Sequence, residues 1–147
     1  MSTRSRIAVA LPNGRFSSIY CHQDGHPKGV GQVLVEHYGS TERALALVTL
    51  GNLSRLRQQL APPNGVVHTF DKALSCTTVA YGRDRGDKGT GALRSNNFTA
   101  LVAAASQCNA EFIYVLQADR WQVVPVPEFD CAPLPTEADL TDVEVTA

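Results

Sequence analysis

One loop concentrates the side chains that could bind a ligand or take part in catalysis. It spans residues 20–31 and reads Tyr-Cys-His-Gln-Asp-Gly-His-Pro-Lys-Gly-Val-Gly. Imidazole, carboxylate and ammonium groups stand here among glycines, which let a backbone turn sharply or approach a ligand closely. We take Tyr20, His22, Asp24 and Lys28 as candidate binding residues. The alternative is a structural turn whose histidines are solvated.

The spacing within this loop favours recognition over metal binding or catalysis. The pattern His-x-Asp-x-His in a loop is a weak metal signal. A nucleophile at Cys21 would need His22 as its base, but adjacent strand residues point to opposite faces. Free N–H groups in residues 29–31, at the start of a helix, would suit an anion. We therefore predict no metal site, no cofactor and no catalytic residue.

A second polar loop begins at Tyr81. Residues 81–88 read Tyr-Gly-Arg-Asp-Arg-Gly-Asp-Lys. The planar fork of an arginine suits phosphate and carboxylate groups, so Tyr81, Arg83, Asp84 and Arg85 join the candidate binding residues. The alternative is a solvated loop of alternating charge.

The first element that must position these loops is an N-terminal hairpin. Ile7, Val9 and Leu11 alternate with alanines, a strand pattern. Asn13-Gly14 follows and favours a two-residue turn, because both positions take positive φ. Such a turn pairs Val9 with Ser18 and places the three larger apolar residues on the core face.

The rest of the pattern predicts helices, central strands and a closing hairpin. Helices are expected at about residues 30–38, 41–50, 52–60 and 97–108, with caps at Ser40 or Thr41 and at Asn96 or Asn97. Strands are expected at residues 66–70 and 77–81, and a closing hairpin at 112–116 and 121–124. Hairpins need no crossover helix, so this order predicts an α+β fold. We expect a mainly antiparallel sheet with the helices packed on one face.

Charge divides the chain into a basic body and an acidic C-terminal segment. Residues 1–123 hold all 13 Lys and Arg against eight acids, a net charge of +5, whereas residues 124–147 hold six acids and no base. Acidic, proline-containing segments are typically extended or disordered. We predict one domain at 1–123 and a tail at 124–147 that folds back on it. Nucleic-acid binding by the basic body is an alternative, and it would depend steeply on salt.

Composition is typical of an ordinary globular domain. Hydrophobic residues make up 44% and charged residues 18% of 147 residues. No apolar run approaches the roughly 18 residues that cross a bilayer, and the cysteines lack the paired spacing of zinc or redox motifs. We therefore expect a cytoplasmic protein with reduced thiols and no membrane partner.

Several segments resemble a family of small, uncharacterised phage and prophage proteins. The longest is Ser18-Ile19-Tyr20-Cys21-His22, followed by Asp24-Gly25, Pro27 and Gly29-Val30-Gly31. Others are at residues 50–54, 78–86 and 112–116, with Trp121. This chain departs from the family pattern at Gln23 and His26, where aromatic residues are usual, and at Gly82, where a histidine is usual. The resemblance implies a phage source and an approximate fold, and it implies no activity.

The residues and the resemblance together predict a small accessory protein that binds a host protein or protein complex. Counter-defence, such as inhibition of a CRISPR-type complex, is one role of this kind. The alternative is a small-ligand-binding protein or a hydrolase-type enzyme with a pocket formed by His22, Asp24, Arg83 and Asp84. This alternative requires the two polar loops to meet.

Overall fold

The structure is a computed structural model that describes residues 2–127 and 133–145. A mixed sheet runs through this part of the chain. The strands are β1 (Ser5–Ala10), β2 (Phe16–Cys21), β3 (Leu53–Arg55), β4 (Val79–Ala80), β5 (Leu93–Ser95), β6 (Phe112–Gln117), β7 (Arg120–Pro125) and β8 (Thr141–Asp142). The helices are α1 (Gln32–His37), α2 (Thr41–Leu50), α3 (Tyr81–Arg85) and α4 (Phe98–Gln107), with a π turn at Pro27–Gly31 and 3-10 turns at Pro12–Gly14 and Glu137–Asp139. The predicted α+β class is confirmed.

The sheet joins the two hairpins through their first strands. Its order is β4-β3-β2-β1-β6-β7-β8, and β5 also pairs with β2. β1 runs parallel to β6, from Ser5 opposite Phe112 to Val9 opposite Leu116. β2 is parallel to β3, whereas the other pairs are antiparallel. The prediction of a mainly antiparallel sheet is thus confirmed, with a parallel junction at its centre.

Apolar side chains fill both faces of this sheet. Ile7 and Val9 of β1 pack with Leu47 of α2 on one face. Ala8 packs with Leu101 of α4 on the other. The prediction that all helices pack on one face is therefore wrong. The physical reason is that β1 and β6 are apolar at consecutive positions, so both of their faces must be covered.

The first hairpin turns through a longer loop than predicted. Asn13 and Gly14 do have positive φ, 65° and 73°. Pro12 precedes them, however, and it has no N–H and a fixed φ, so it starts a 3-10 turn instead of continuing the strand. The N–H of Leu11 donates to the carbonyl of Arg15 at 2.7 Å, which closes the loop.

This loop shifts the predicted strand register by one residue. Val9 lies opposite Ser17 and not opposite Ser18. Because side chains alternate along a strand, a one-residue slip exchanges the two faces of β2. Ile19 therefore enters the core shared with α1 and α2, and Tyr20 remains partly exposed on the α4 side.

The predicted helix caps and the predicted closing hairpin are both present in the structure. Ser40 and Asn97 each accept a hydrogen bond from the N–H three residues on, at 3.2 and 2.8 Å. Gly51, with φ of 92°, follows α2. The closing hairpin is confirmed, and Ala118 and Asp119 at its turn both have positive φ.

Two central elements differ from their predictions. Residues 52–60 do not form a helix, because β3 pairs there with β2 and β4. Residues 66–70 form loop rather than strand. In residues 52–60, tertiary pairing outweighs the local apolar pattern. The polar loop after Ala80, in turn, contains the short helix α3.

The C-terminal segment contributes to the sheet where it is described. β7 extends to Pro125, and β8 pairs antiparallel with β7. Val143, which is 9% exposed, packs into the core beside α1 and α2. Residues 1, 128–132 and 146–147 lie outside the described part of the chain, so the tail predicted at 124–147 is covered only in part, and the boundary at residue 123 stays a prediction.

Two further observations concern the chain as a whole. No helix among residues 2–127 and 133–145 is long and apolar enough to cross a membrane. Cys21, Cys76 and Cys108 are free thiols, and Cys131 lies outside the described part.

Candidate functional site

The first candidate loop is shaped largely by its own backbone. The N–H of Val30 donates to the carbonyl of Asp24 at 2.7 Å, and the N–H of Gly29 donates to the carbonyl of His26 at 2.9 Å. The prediction of free N–H groups for an anion is therefore wrong at these two residues. A Cβ atom at Gly29 would collide with the carbonyl of Asp24. Glycine at position 29 thus permits the close approach that closes the loop.

The candidate side chains of this loop separate onto two sides of the sheet. The hydroxyl of Tyr20 lies 2.7 Å from Nδ1 of His22, on the α4 side. Asp24 and Lys28 instead line an open cleft of about 420 Å³ beside α1. Cys21 is buried in the core shared with α1 and α2, and this burial raises the pKa of its thiol to about 12. The thiol therefore stays protonated at neutral pH, so it is a poor nucleophile.

The cleft beside α1 carries charges of both signs. Asp24 and Glu36 face it together with Lys28 and His37. An open cleft that carries both positive and negative side chains does not favour anionic over cationic ligands. Within the described residues, no group of three or more His, Cys, Asp and Glu side chains is placed to hold a metal ion.

The second candidate loop is organised around the buried carboxylate of Asp84, whose side chain is 3% exposed. The N–H of Ala80 donates to Oδ2 at 2.8 Å. Arg83 donates through Nε to Oδ1 at 2.8 Å and through a terminal nitrogen to Oδ2 at 3.0 Å. Nε2 of His68 lies 3.2 Å from Oδ2, and the His68 side chain is fully buried.

These contacts fix the ionisation of Asp84 and the tautomer of His68. Burial opposes the charged form of Asp84, but the hydrogen bonds from Arg83 and Ala80 outweigh it and hold its pKa below the ordinary value. Nδ1 of His68 accepts the N–H of Leu74 at 3.1 Å, so the ring proton lies on Nε2 and is donated to Asp84. Both ring nitrogens are occupied, and neither is free to accept a substrate proton.

Arg83 directs its remaining donors into the protein. One terminal nitrogen donates to the carbonyl of Leu60 at 2.6 Å, and the other donates to the carbonyl of Thr78 at 2.7 Å. With its bonds to Asp84, the guanidinium thereby joins three separate segments of the chain. These bonds give Arg83 a structural role, and its role in binding a ligand stays a prediction.

Arg85 and Tyr81 likewise contact each other and their neighbours. The guanidinium carbon of Arg85 lies 4.4 Å from the ring centroid of Phe70 and 4.9 Å from that of Tyr81. Its Nε and one terminal nitrogen donate to Asp87 at 2.9 and 2.7 Å. The hydrogen bond to Asp87 raises the pKa of Arg85 and lowers that of Asp87, which is consistent with an exposed ion pair.

Both candidate loops attach to β3 and to the residue before it. The N–H of His22 donates to the carbonyl of Leu53 at 3.0 Å. The N–H of Tyr81 donates to the carbonyl of Asn52 at 3.2 Å, and Oδ1 of Asn52 accepts the N–H of Tyr20 at 3.0 Å. Asn52, at the start of the helix predicted for residues 52–60, therefore connects the two loops through its main chain and side chain.

A shared backbone attachment does not by itself bring the side chains of the predicted four-residue pocket into contact. In the described part of the chain, no hydrogen bond or ion pair joins His22 or Asp24 to Arg83 or Asp84. The hydrolase-type alternative thus gains no support from these contacts. His68 is not among the residues that the sequence singles out, because the apolar alternation around it predicts a strand.

Comparisons with known proteins return no match for this chain, whether against family models, curated proteins or solved structures. The resemblance to phage and prophage proteins therefore rests on the quoted motifs alone. Any functional conclusion must come from the surfaces and contacts of this molecule.

Proposed function

We propose that this chain is a small accessory protein of a phage or prophage that binds a host protein in the host cytosol. The motif resemblance supports the source. The observation that carries the binding proposal is the loop at residues 60–76, called the anchored loop below. It is fixed to the domain at its base and its centre, and it exposes apolar side chains at its tip.

The base of the anchored loop is closed by backbone hydrogen bonds. The N–H of Gln59 donates to the carbonyl of Cys76 at 2.9 Å, and the N–H of Thr78 donates to the carbonyl of Gln59 at 2.8 Å. Arg57 adds a side-chain bond to the carbonyl of Leu74 at 3.0 Å. The two ends of the loop are thus held together.

The centre of the anchored loop is attached to α3. His68 contacts the carboxylate of Asp84, and the N–H of Phe70 donates to the carbonyl of Asp84 at 3.1 Å. The ring of Phe70 stacks on Tyr81 with centroids 5.7 Å apart. Attachment at both places lowers the entropy that the loop would lose on binding a partner.

The tip of the anchored loop presents Val66 and Val67, which are 45% and 76% exposed. Residues 63–66 form a turn in which the N–H of Val66 donates to the carbonyl of Pro63 at 3.1 Å. Burial of an aliphatic side chain of this size contributes roughly 1.5 kcal/mol. Loops held by rigid elements are common recognition surfaces, and these valines fit a partner with an apolar pocket.

A reconstituted complex tests this proposal. The tagged chain is used to isolate a stoichiometric partner from candidate hosts, and the partner is then purified and its affinity measured directly. Val67→Glu should weaken binding by about tenfold or more, since it would bury a charge in an apolar pocket. Leu45→Glu, at an exposed apolar residue of α2, should leave the affinity unchanged. Equal affinity of the wild type and Val67→Glu would refute the role of the loop.

Counter-defence is the finer proposal. Expression of the chain in a host with an active CRISPR-type system should restore transformation by a targeted plasmid, and Val67→Glu should abolish this effect. Unchanged plasmid exclusion in hosts whose complexes do bind the chain would argue against an inhibitory role.

A further inference from the structure

Arg6 places a buried positive charge on the α4 face of the sheet. The residue is 6% exposed. Its Nε donates to Oγ of Ser18 at 2.8 Å, and a terminal nitrogen lies 3.8 Å from the sulfur of Cys108. No Asp or Glu of the described chain forms an ion pair with it. A buried charge without a counter-ion is costly.

Arg4 adds a second charge on the same face. Its Nε is buried and has no hydrogen-bond acceptor, although the residue as a whole is partly exposed. Arg4 directly precedes β1, and its carbonyl accepts the N–H of Glu111, so the pairing with the β6 side continues to it. Ser5 faces Gly25 on the opposite side, and alternation therefore places Arg4 on the same face as Arg6. No described acid forms an ion pair with Arg4 either.

Tyr20 lies beside Arg6, and His22 contacts Tyr20. Tyr20 lies directly opposite Arg6 in the β1–β2 ladder, and its hydroxyl contacts Nδ1 of His22. Burial raises the pKa of Tyr20, and the positive charge of Arg4 partly opposes that rise. The site therefore combines two guanidinium groups with a hydroxyl and an imidazole.

The surroundings compensate only part of this positive charge. The carboxyl end of α4, near Cys108, contributes a partial charge of about −0.5. Glu111 is exposed and its N–H donates to the carbonyl of Arg4 at 2.8 Å, so its carboxylate lies in the neighbourhood without forming an ion pair. Among residues 2–127 and 133–145, therefore, no carboxylate forms an ion pair with either arginine.

We propose that Arg4, Arg6, Tyr20 and His22 form a binding site for a phosphate group carrying two negative charges. A phosphate monoester or free phosphate matches the two guanidinium charges, whereas a carboxylate matches only one. The partly exposed Arg4 contacts the phosphate oxygens, and Arg6 supports it from beneath. This inference is independent of the proposed host-protein binding, because the anchored loop contributes no residue to the site.

Titration of the full chain with inorganic phosphate, followed by amide NMR at constant ionic strength, tests the site. The resonances of residues 4–6, 20–22 and 108 should shift with saturation. Arg4→Gln should weaken binding by about tenfold, the loss of one charge-assisted contact. Arg15→Gln is the matched control, since it removes the same charge from an exposed residue at the other end of the hairpin. Glu111→Gln should strengthen binding roughly twofold.

The remaining arms separate the sources of the ligand. If glycerol phosphate binds at least as tightly as inorganic phosphate, the natural ligand is a phosphate monoester. If inorganic phosphate binds more tightly, the natural ligand is free phosphate. Tighter binding of acetate than of either would overturn the assignment to phosphate. If Arg4→Gln and Arg15→Gln weakened phosphate binding equally, the binding would depend only on the overall charge and the proposed site would be wrong. If the amide shifts did not saturate with phosphate, there would be no specific site. Amide spectra of each variant report whether it is folded.

Discussion

At the scale of single residues, the carboxylate of Asp84 holds the centre of the anchored loop through its contact with His68. It is buried and accepts from Ala80, Arg83 and His68. Asp84→Asn should lower the free energy of unfolding by about 2–3 kcal/mol, because an amide replaces a carboxylate that accepts charge-assisted bonds. Urea denaturation measures this. Asp87→Asn, at the exposed pair with Arg85, should change stability little, and equal effects of the two substitutions would contradict the role of Asp84.

The same residue predicts a pH dependence with a defined sign. The pKa of Asp84 is lower in the folded protein than the ordinary value. A lowered folded-state pKa contributes stability that is present above the unfolded pKa and is lost as the pH falls through the folded one. The difference in unfolding free energy between wild type and Asp84→Asn should therefore be constant above about pH 4.5 and shrink below about pH 4. A difference that grows with acidification would contradict this account.

Residue types could be predicted from the sequence at this scale, but residue partners could not. The pattern singled out Arg83 and Asp84 as polar groups with binding chemistry. Their acceptors and donors, at Leu60, His68 and Thr78, are separated from them along the chain and meet them only through the fold. The neighbouring sequence does not distinguish an arginine that donates to carbonyl groups within the fold from one that binds a ligand.

At the scale of elements, the loop between β2 and α1 depends on a glycine that local conformation alone would not reveal. A Cβ atom at Gly29 collides with the carbonyl of Asp24. Gly29→Ala should therefore destabilise the fold by about 1–3 kcal/mol, since rigid backbone must shift to relieve the contact. Thermal unfolding with Gly39→Ala as the control provides the measurement. A Cβ at Gly39 would lie 3.4 Å from the carbonyl of Val35, an ordinary contact, and equal effects at both positions would refute the packing argument.

Elements with strong end signals were predictable, and elements defined by long-range pairing were not. Ser40 and Asn97 cap their helices through bonds spanning three residues, so the sequence carries the whole signal. β3 exists because Cys21 and Ala80 flank Leu53 across the sheet. Its apolar spacing fits a helix equally well, and only the neighbouring strands decide between them.

At the scale of the whole molecule, the parallel pairing of β1 with β6 determines the architecture. It unites two hairpins that are distant in sequence and buries a continuous apolar centre on both faces. The hairpins themselves could be predicted from turn residues. Their joining could not, because no local signal specifies which strands of two hairpins become neighbours. The burial of both sheet faces could be predicted in part, because β1 and β6 carry consecutive apolar residues.

The C-terminal segment brings charge and packing together at this same scale. We expect its acids to weaken non-specific binding of polyanions by the basic body. Deletion of residues 128–147 is a poor test, because it also removes β8 and the buried Val143. Changing Glu137, Asp142 and Glu144 to their amides keeps this packing and raises the formal net charge from −1 to +2. Asp139 is best left intact, since it accepts the N–H of Thr136 at 2.8 Å.

The substituted chain should bind heparin or single-stranded DNA more tightly than the wild type at low salt. The advantage should vanish as salt rises, because the gain is purely electrostatic. Retention on a heparin column over a salt gradient measures it, and an unchanged thermal midpoint shows that the fold is intact. Replacing three exposed threonines, Thr99, Thr136 and Thr141, by serine is a control that leaves the charge unchanged. If the triple amide variant elutes at the same salt concentration as the wild type, the C-terminal acids do not weaken polyanion binding by the basic body. The uneven distribution of charge along the sequence would then have no effect on polyanion binding.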